Sequence, residues 1–135
     1  MKKILLILII ILFGVKTNTY SQIVLNKTSD IDVLLQNKAQ FINHPFSFLL
    51  NNIHLEIKKV RAFAAVATLG QQNGEFHLFF VDNNEYDSLY KLKKIAPNII
   101  VVVEEDFVWK PKQGSWNSID TEKYGSLTVL DIRKF

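Results

Sequence analysis

Residues 99–103 read Ile-Ile-Val-Val-Val, a continuous run of β-branched apolar residues. β-Branched side chains pack well on a pleated surface, and a run without polar alternation is typical of a strand that is buried on both faces or central in a sheet. The sequence therefore predicts a strand over Ile99 to Val103, and neighbouring strands must come from the segments on either side.

The segment immediately before this strand predicts a helix. Asn84 can cap its first turn, which carries acidic residues, and lysines up to Lys94 lie near its last turn. This order of charges complements the helix dipole at both ends. Pro97 is expected to stop the helix before the strand begins.

Residues 54–81 predict a long hairpin. Within 54–69 several apolar residues have helical spacing, whereas Leu55 and Ile57 alternate as in a strand. The stretch 70–74 is turn-like and 76–81 is rich in Phe, so a hairpin accounts for both halves. We favour a strand over 54–69, and a helix is the alternative.

Two helices are predicted before the hairpin. The first covers about 30–43 with Ser29 as its N-cap, and it must end because His44 precedes Pro45, which biases His44 away from the α region. The second starts at Pro45, a favourable first position for a helix, and ends at the Asn pair 51–52.

The C-terminal part predicts a last strand over 126–132, preceded by a long connection over 110–125 that contains Pro and Gly. Together these elements predict an α+β domain: an antiparallel sheet of about four strands, arranged as two hairpins, with helices packed on one face.

Residues 1–21 have the three-part layout of a secretory signal peptide. Lys2 and Lys3 precede an apolar run over 4–13, and Thr19 and Ser21 supply the small residues that a signal peptidase site requires. We therefore expect a signal peptide over 1–21 and a single domain over 22–135, periplasmic or secreted, that meets a membrane only transiently through the signal peptide. The alternative is an uncleaved N-terminal helix.

The charge balance argues against nucleic acid as a partner. The chain has 16 Lys plus Arg and 13 Asp plus Glu, and removing Lys2, Lys3 and Lys16 with the signal peptide leaves 13 basic residues against 13 acidic ones. A neutral domain lacks the excess of cations on which non-specific nucleic-acid affinity depends. The chain also has no cysteine, which excludes disulfides and thiolate metal sites.

The abundance of Ile, Asn and Lys, Gln22 after the expected cleavage site and the segment 41–50 together resemble small exported proteins of Bacteroidota that are of unknown function. The resemblance covers about 41–103 and rests on patterning, without a catalytic motif. It implies a location in the cell envelope and assigns no activity to any residue.

Glu104 and Asp106 are candidate catalytic carboxylates. If the strand continued through them, they would project to one side about 6.6 Å apart at the backbone. Acid and base catalysis in an inverting glycosidase uses carboxyl groups roughly 6.5 to 9.5 Å apart. The alternative is a solvated acidic strand end.

The stretch 109–116 is the best candidate for a binding site. It places two indoles and two ammonium groups on a Pro- and Gly-containing loop, and such loops commonly bind sugars or protein partners. The alternative is that the indoles seal one end of the core. The candidate binding residues are Trp109, Lys110, Lys112 and Trp116.

No metal or cofactor is expected. With a hairpin centred near residue 72, His77 lies opposite about Ala67 and far from His54, so the two cannot share an ion, and surface positions at strand ends are expected for them. The sequence thus predicts a non-catalytic exported protein that binds a protein partner or an envelope glycan. The alternative function is a small envelope hydrolase using the carboxylate pair.

Overall fold

The computed structural model describes residues 22–66, 70 and 72–135, so the predicted signal peptide over 1–21 lies outside the described residues. It contains four strands, β1 (Lys59–Phe63), β2 (Gly74–Phe79), β3 (Asn98–Val103) and β4 (Val129–Arg133). They form one antiparallel sheet in the order β1-β2-β3-β4. The predicted α+β class with a four-stranded antiparallel sheet is confirmed.

β3 occupies the interior of the sheet, as its β-branched run predicts. Val101 lies opposite Phe76 of β2 on one side and Ile132 of β4 on the other. All residues of β3 are buried, including Asn98, whose side-chain amide donates to the carbonyl oxygen of Ala96 at 2.8 Å. A polar side chain at the start of a buried strand is tolerated because this hydrogen bond satisfies it.

The helices are short: α1 (Ile31–Gln36), α2 (Phe46–Leu50), α3 (Asn83–Lys91) and α4 (Ser118–Tyr124). Single 3-10 turns cover Thr28–Asp30 and Lys38–Gln40. Within the described ranges, no helix has the length and apolar character needed to cross a bilayer.

The prediction of one continuous helix over 30–43 is wrong, because α1 ends at Gln36. Asn37 leaves helical geometry with φ −113° and ψ 16°, and its side-chain amide donates to the carbonyl oxygen of Val33 at 2.8 Å. Asn side chains compete with the backbone for such hydrogen bonds, which is why they favour helix ends. The helix predicted from Pro45 is confirmed as α2.

α3 begins and ends earlier than predicted. Its cap is Asp82 and not Asn84, since the Asp82 carboxylate accepts a hydrogen bond from the backbone N–H of Glu85 at 2.8 Å. The helix ends at Lys91, and Lys93 adopts a left-handed conformation with φ 55°. The chain therefore turns well before Pro97.

The connection predicted over 110–125 contains α4, which the prediction missed. Asn117 Oδ1 accepts hydrogen bonds from the backbone N–H groups of Ile119 and Asp120, and the Asp120 carboxylate accepts one from the Asn117 backbone at 2.9 Å. This reciprocal capping satisfies N–H groups that a helix start leaves unpaired. The spacing of Asn117 and Asp120 was the available sequence signal.

Residues 125–128 do not join β4, which was predicted to start at 126. Instead, the carbonyl oxygens of Gly125 and Leu127 accept hydrogen bonds from the backbone of Ser47 and Phe46, at 2.8 Å and 2.7 Å. This pairing with α2 takes up backbone groups that a strand would need. β4 accordingly begins at Val129.

The strand predicted over 54–69 is confirmed as β1 but covers only Lys59–Phe63. Arg61 lies opposite His77, whereas the sequence placed Ala67 there. The pairing of β1 with β2 is thus centred near residue 69 and not near residue 72. Residues 64–73 connect the two strands, which makes the connection longer than the predicted turn over 70–74.

The sheet has two different faces. The face that we call the core face packs against side chains of α1, α2 and α4, and its residues include Val60, Phe76, Leu78, Ile99, Val101, Val103 and Ile132. By the alternation of strand side chains, the opposite face, which we call the outer face, carries Arg61, Phe63, Glu75, His77, Ile100, Val102, Asp131 and Arg133. Helix α3 contacts a smaller cluster, with Tyr86 stacking edge-on against Phe79 at 5.1 Å.

The two edge strands are protected differently. β4 is covered by the segment before α2, because Asn43 donates to the Val129 carbonyl at 2.8 Å and the Val129 N–H donates to His44 at 3.0 Å. Lys38 adds a hydrogen bond to the carbonyl of Ile132. β1 forms the other edge of the sheet, and among the described residues no further strand pairs with it. It carries Arg61 and neighbouring lysines, which discourage the addition of a strand from another chain.

Gly74 generates a stability prediction. A methyl group at this position would overlap the ring of Phe107, which stacks on Phe76 at a centroid distance of 4.4 Å. We expect Gly74→Ala to lower the free energy of unfolding by about 1–3 kcal/mol because of overpacking, as measured by urea denaturation. Combined with Phe107→Leu, it should cost less than the sum of the two single substitutions, and strict additivity would contradict the overlap.

Candidate functional site

The two candidate catalytic carboxylates lie beyond the end of a strand. β3 ends at Val103, and Glu104 and Asp106 are exposed in the bend that follows it. The strand alternation that was expected to place both carboxylates on one side does not extend to them. One Asp106 carboxylate oxygen accepts a hydrogen bond from the backbone N–H of Phe107 at 2.8 Å, which fits a role in shaping the bend.

Glu105, between them, joins the end of β3 to the start of β4. Its carboxylate accepts hydrogen bonds from the Thr128 backbone N–H and hydroxyl, both at 2.6 Å, and Glu104 N–H donates to the Thr128 carbonyl at 3.0 Å. Partial burial acts to raise the pKa of Glu105, but the hydrogen bonds outweigh it and lower the pKa. Glu105 is thus held ionised as a structural acceptor.

The indoles of the 109–116 loop pack against the core. Trp109 and Trp116 are both half-buried, and each lies edge-on to the ring of Phe76, at 6.0 Å and 5.9 Å. Trp116 also contacts Phe46 at 5.5 Å, and its indole N–H donates to the Thr121 hydroxyl at 2.8 Å. This packing matches the alternative interpretation of the loop, in which the indoles seal one end of the core.

The two lysines of the loop differ. Lys112 forms an ion pair with Asp120, the residue that also caps α4. Lys110 is exposed. The loop adjoins the sheet beside the start of β1, because the backbone N–H of Trp116 donates to the carbonyl of Ile57 at 2.9 Å. Of the four predicted binding residues, Lys110 is thus exposed, whereas Trp109, Lys112 and Trp116 are half-buried.

Sequence reasoning missed the aromatic row on the outer face. Phe63 lies edge-on to His77 with 5.0 Å between ring centroids, and Phe135 lies on the other side of His77 at 5.1 Å. His77 was expected at the surface, but it is buried at the middle of β2, and its ring Nε2 lies 3.1 Å from a Glu75 carboxylate oxygen. Phe63 is 47% exposed and Phe135 is 60% exposed.

Charged side chains flank this row in two ways. Glu75 is engaged by Arg133, and Asp131 by Lys38, so these two carboxylates are already paired. Arg61, next to Phe63 on β1, forms no ion pair with a carboxylate in the described part of the chain, and its guanidinium lies 4.9 Å from the ring of Tyr86.

Lys59 completes a positive group at the start of β1. Its ammonium lies 4.0 Å from the Tyr86 ring centroid, a cation–π geometry. Burial and then the neighbouring Arg61 guanidinium lower the pKa of Lys59, while Asp87 acts in the opposite direction. Two cationic side chains, Lys59 and Arg61, thus lie beside the aromatic row, and the Asp87 carboxylate acts on Lys59.

No group of three or more His, Asp or Glu side chains suited to holding a metal ion occurs among the described residues. Of the two histidines that were considered as a metal pair, His54 is exposed before β1 and His77 is buried in β2.

Comparisons of the chain with protein-family models, curated proteins and solved structures gave no match.

The packing of Trp116 generates the second prediction. Trp116→Ala should lower the free energy of unfolding by about 3 kcal/mol, because a half-buried indole among three aromatic rings is removed. Trp116→Phe, which keeps a ring and loses the hydrogen bond to Thr121, should cost about 1 kcal/mol. Urea denaturation measures both, and equal stability of the alanine variant and the unsubstituted protein would contradict a packing role.

Proposed function

We propose that the protein is an exported binding protein and that it recognises a protein partner through the outer face of the sheet. The single observation that carries this proposal is the aromatic row, in which Phe63 and Phe135 flank His77 and remain 47% and 60% exposed. Aromatic and arginine side chains are enriched at the centres of protein interfaces, and this row has Arg61 beside it.

The row is held in place before any partner binds. Phe63 and Phe135 each contact the buried His77 ring, and the backbone N–H of Phe135 donates to the Asn98 side chain at 3.4 Å. Ordering flexible side chains at an interface costs affinity, so rings that are already supported lose less on binding. This favours a role in recognition for the two exposed rings.

The charges of the outer face indicate the chemistry of the partner. Glu75 and Asp131 are internally paired, whereas Arg61 and Lys59 form no ion pair with a carboxylate in the described part of the chain. A complementary partner would present apolar side chains next to carboxylates. An envelope glycan fits less well, because the carboxylates that could accept hydrogen bonds from sugar hydroxyls are already paired with Arg133 and Lys38.

The binding proposal predicts a specific loss of affinity. A partner isolated by cross-linking from native envelope should bind Phe63→Ala and Phe135→Ala at least roughly tenfold more weakly in calorimetric titration, because each ring is a central contact. The matched control is Val108→Ala, an exposed apolar residue away from the row, which should leave the affinity unchanged. Equal affinity of all three variants would contradict the proposal. If the protein instead binds a glycan saturably, and the two Phe variants lose that binding, the ligand of the row is a glycan and not a protein.

Export rests on the signal peptide pattern over 1–21 and on a neutral, cysteine-free remainder. The chain expressed with its own N-terminus should be recovered outside the cytoplasm with Gln22 as its first residue, because a signal peptidase would cut after Ser21. Intact-mass measurement of fractionated protein checks this, with Ser21→Pro as a variant whose processing should fail. Recovery of the uncleaved chain from the cytoplasm would contradict export.

A further inference from the structure

The end of α3 and the turn after it carry an unusual combination of side chains. Residues 90–95 read Tyr-Lys-Leu-Lys-Lys-Ile, and we call them the 90–95 patch. Its three apolar side chains are largely exposed: Tyr90 73%, Leu92 66% and Ile95 68%. Exposed apolar side chains that cluster in this way mark interaction sites more often than single ones do.

The patch is also strongly basic. Lys91, Lys93 and Lys94 stand between the apolar residues, and none of them forms an ion pair with a carboxylate in the described part of the chain. The acidic residues of α3, Glu85 and Asp87, lie nearer its first turn. The surface at the end of the helix therefore presents ammonium groups next to exposed apolar groups.

A cavity of about 280 Å³ opens beside the patch. Tyr90, Lys94 and Ile95 of the patch line this cavity, and Phe79 and Phe135 form its apolar wall on the side of the sheet. An apolar cavity with an ammonium group at its wall is complementary to a hydrocarbon chain that ends in an anionic group. The cavity favours a lipid over an acidic protein surface, because an acyl chain can enter it, whereas carboxylates match the lysines alone.

We propose that the 90–95 patch docks on the surface of a membrane that contains anionic lipids. Lysines are attracted to anionic headgroups while neighbouring aromatic and aliphatic side chains enter the boundary between headgroups and acyl chains. Lys93, with its left-handed backbone, lies at the turn that carries Leu92 and Ile95 beyond the end of the helix. The 90–95 patch contains no residue of the aromatic row, although Phe135 of the row forms one wall of the adjoining cavity. The proposed contact extends the membrane contact beyond the signal peptide.

The test is co-sedimentation of the chain over 22–135 with phosphatidylcholine vesicles, with and without about one third phosphatidylglycerol, at low and high salt. We expect binding to the anionic vesicles only, weakened by salt. Each lysine near an anionic surface contributes about a fivefold increase in partitioning, so replacing all three by glutamine should lower partitioning roughly a hundredfold. Leu92→Ser with Ile95→Ser should also abolish sedimentation, because the inserted side chains are lost.

The matched controls are Ile119→Ser, where the isoleucine is 70% exposed on α4, and Lys110→Gln with Lys123→Gln. These should sediment as the unsubstituted protein does, and so should Phe63→Ala, which separates this inference from partner binding. Absence of binding to anionic vesicles at low salt, the result expected if the patch binds an acidic protein instead, would overturn the proposal. Equal binding to neutral vesicles, or equal loss in the control variants, would overturn it as well.

Discussion

The fold depends on the ring of Phe76, which is fully buried on the core face of β2. It contacts rings from four other parts of the chain: Phe46 of α2, Phe107 and Trp109 after β3, Trp116 before α4, and Tyr124 of α4. Each such aromatic pair adds about 0.5–1.5 kcal/mol beyond burial of its area. One side chain thus fixes the sheet, the long connection after β3 and two helices relative to one another.

Much of the sheet could be predicted from the sequence because its signals are local. The β-branched run of β3 is typical of a strand that is buried on both faces, and Pro45 sets both the end of one segment and the start of α2. The register of β1 against β2 could not be predicted, since it depends on how many residues the connection uses. The start of β4 also escaped prediction, because residues 125–128 are held by hydrogen bonds to α2 that are remote in sequence.

The candidate site likewise combines features with a local sequence signal and features that depend on contacts remote in sequence. The indoles at 109 and 116 were found by composition, but their burial depends on contacts with Phe76 and Phe46, which no local pattern reveals. The aromatic row was missed because it requires the register that brings Phe63, His77 and Phe135 together. The alternation of apolar and polar residues places Phe63 and His77 on strands, but it does not show that they lie on the same face of the sheet. The 90–95 patch, by contrast, is visible in the sequence as alternating lysines and apolar residues, and only its exposure required the structure.

The hydrogen bonds between the segment 43–47 and residues 125–129 have a consequence for biogenesis. α2 and the edge of β4 complete each other's backbone pairing, so the segment 43–47 lacks these hydrogen-bond partners until residues 125–129 have left the ribosome. Contacts between segments so far apart in sequence form late, because the intervening chain must close into a loop first. For the export that we propose, such a delay would keep the chain extended while it threads a translocation channel.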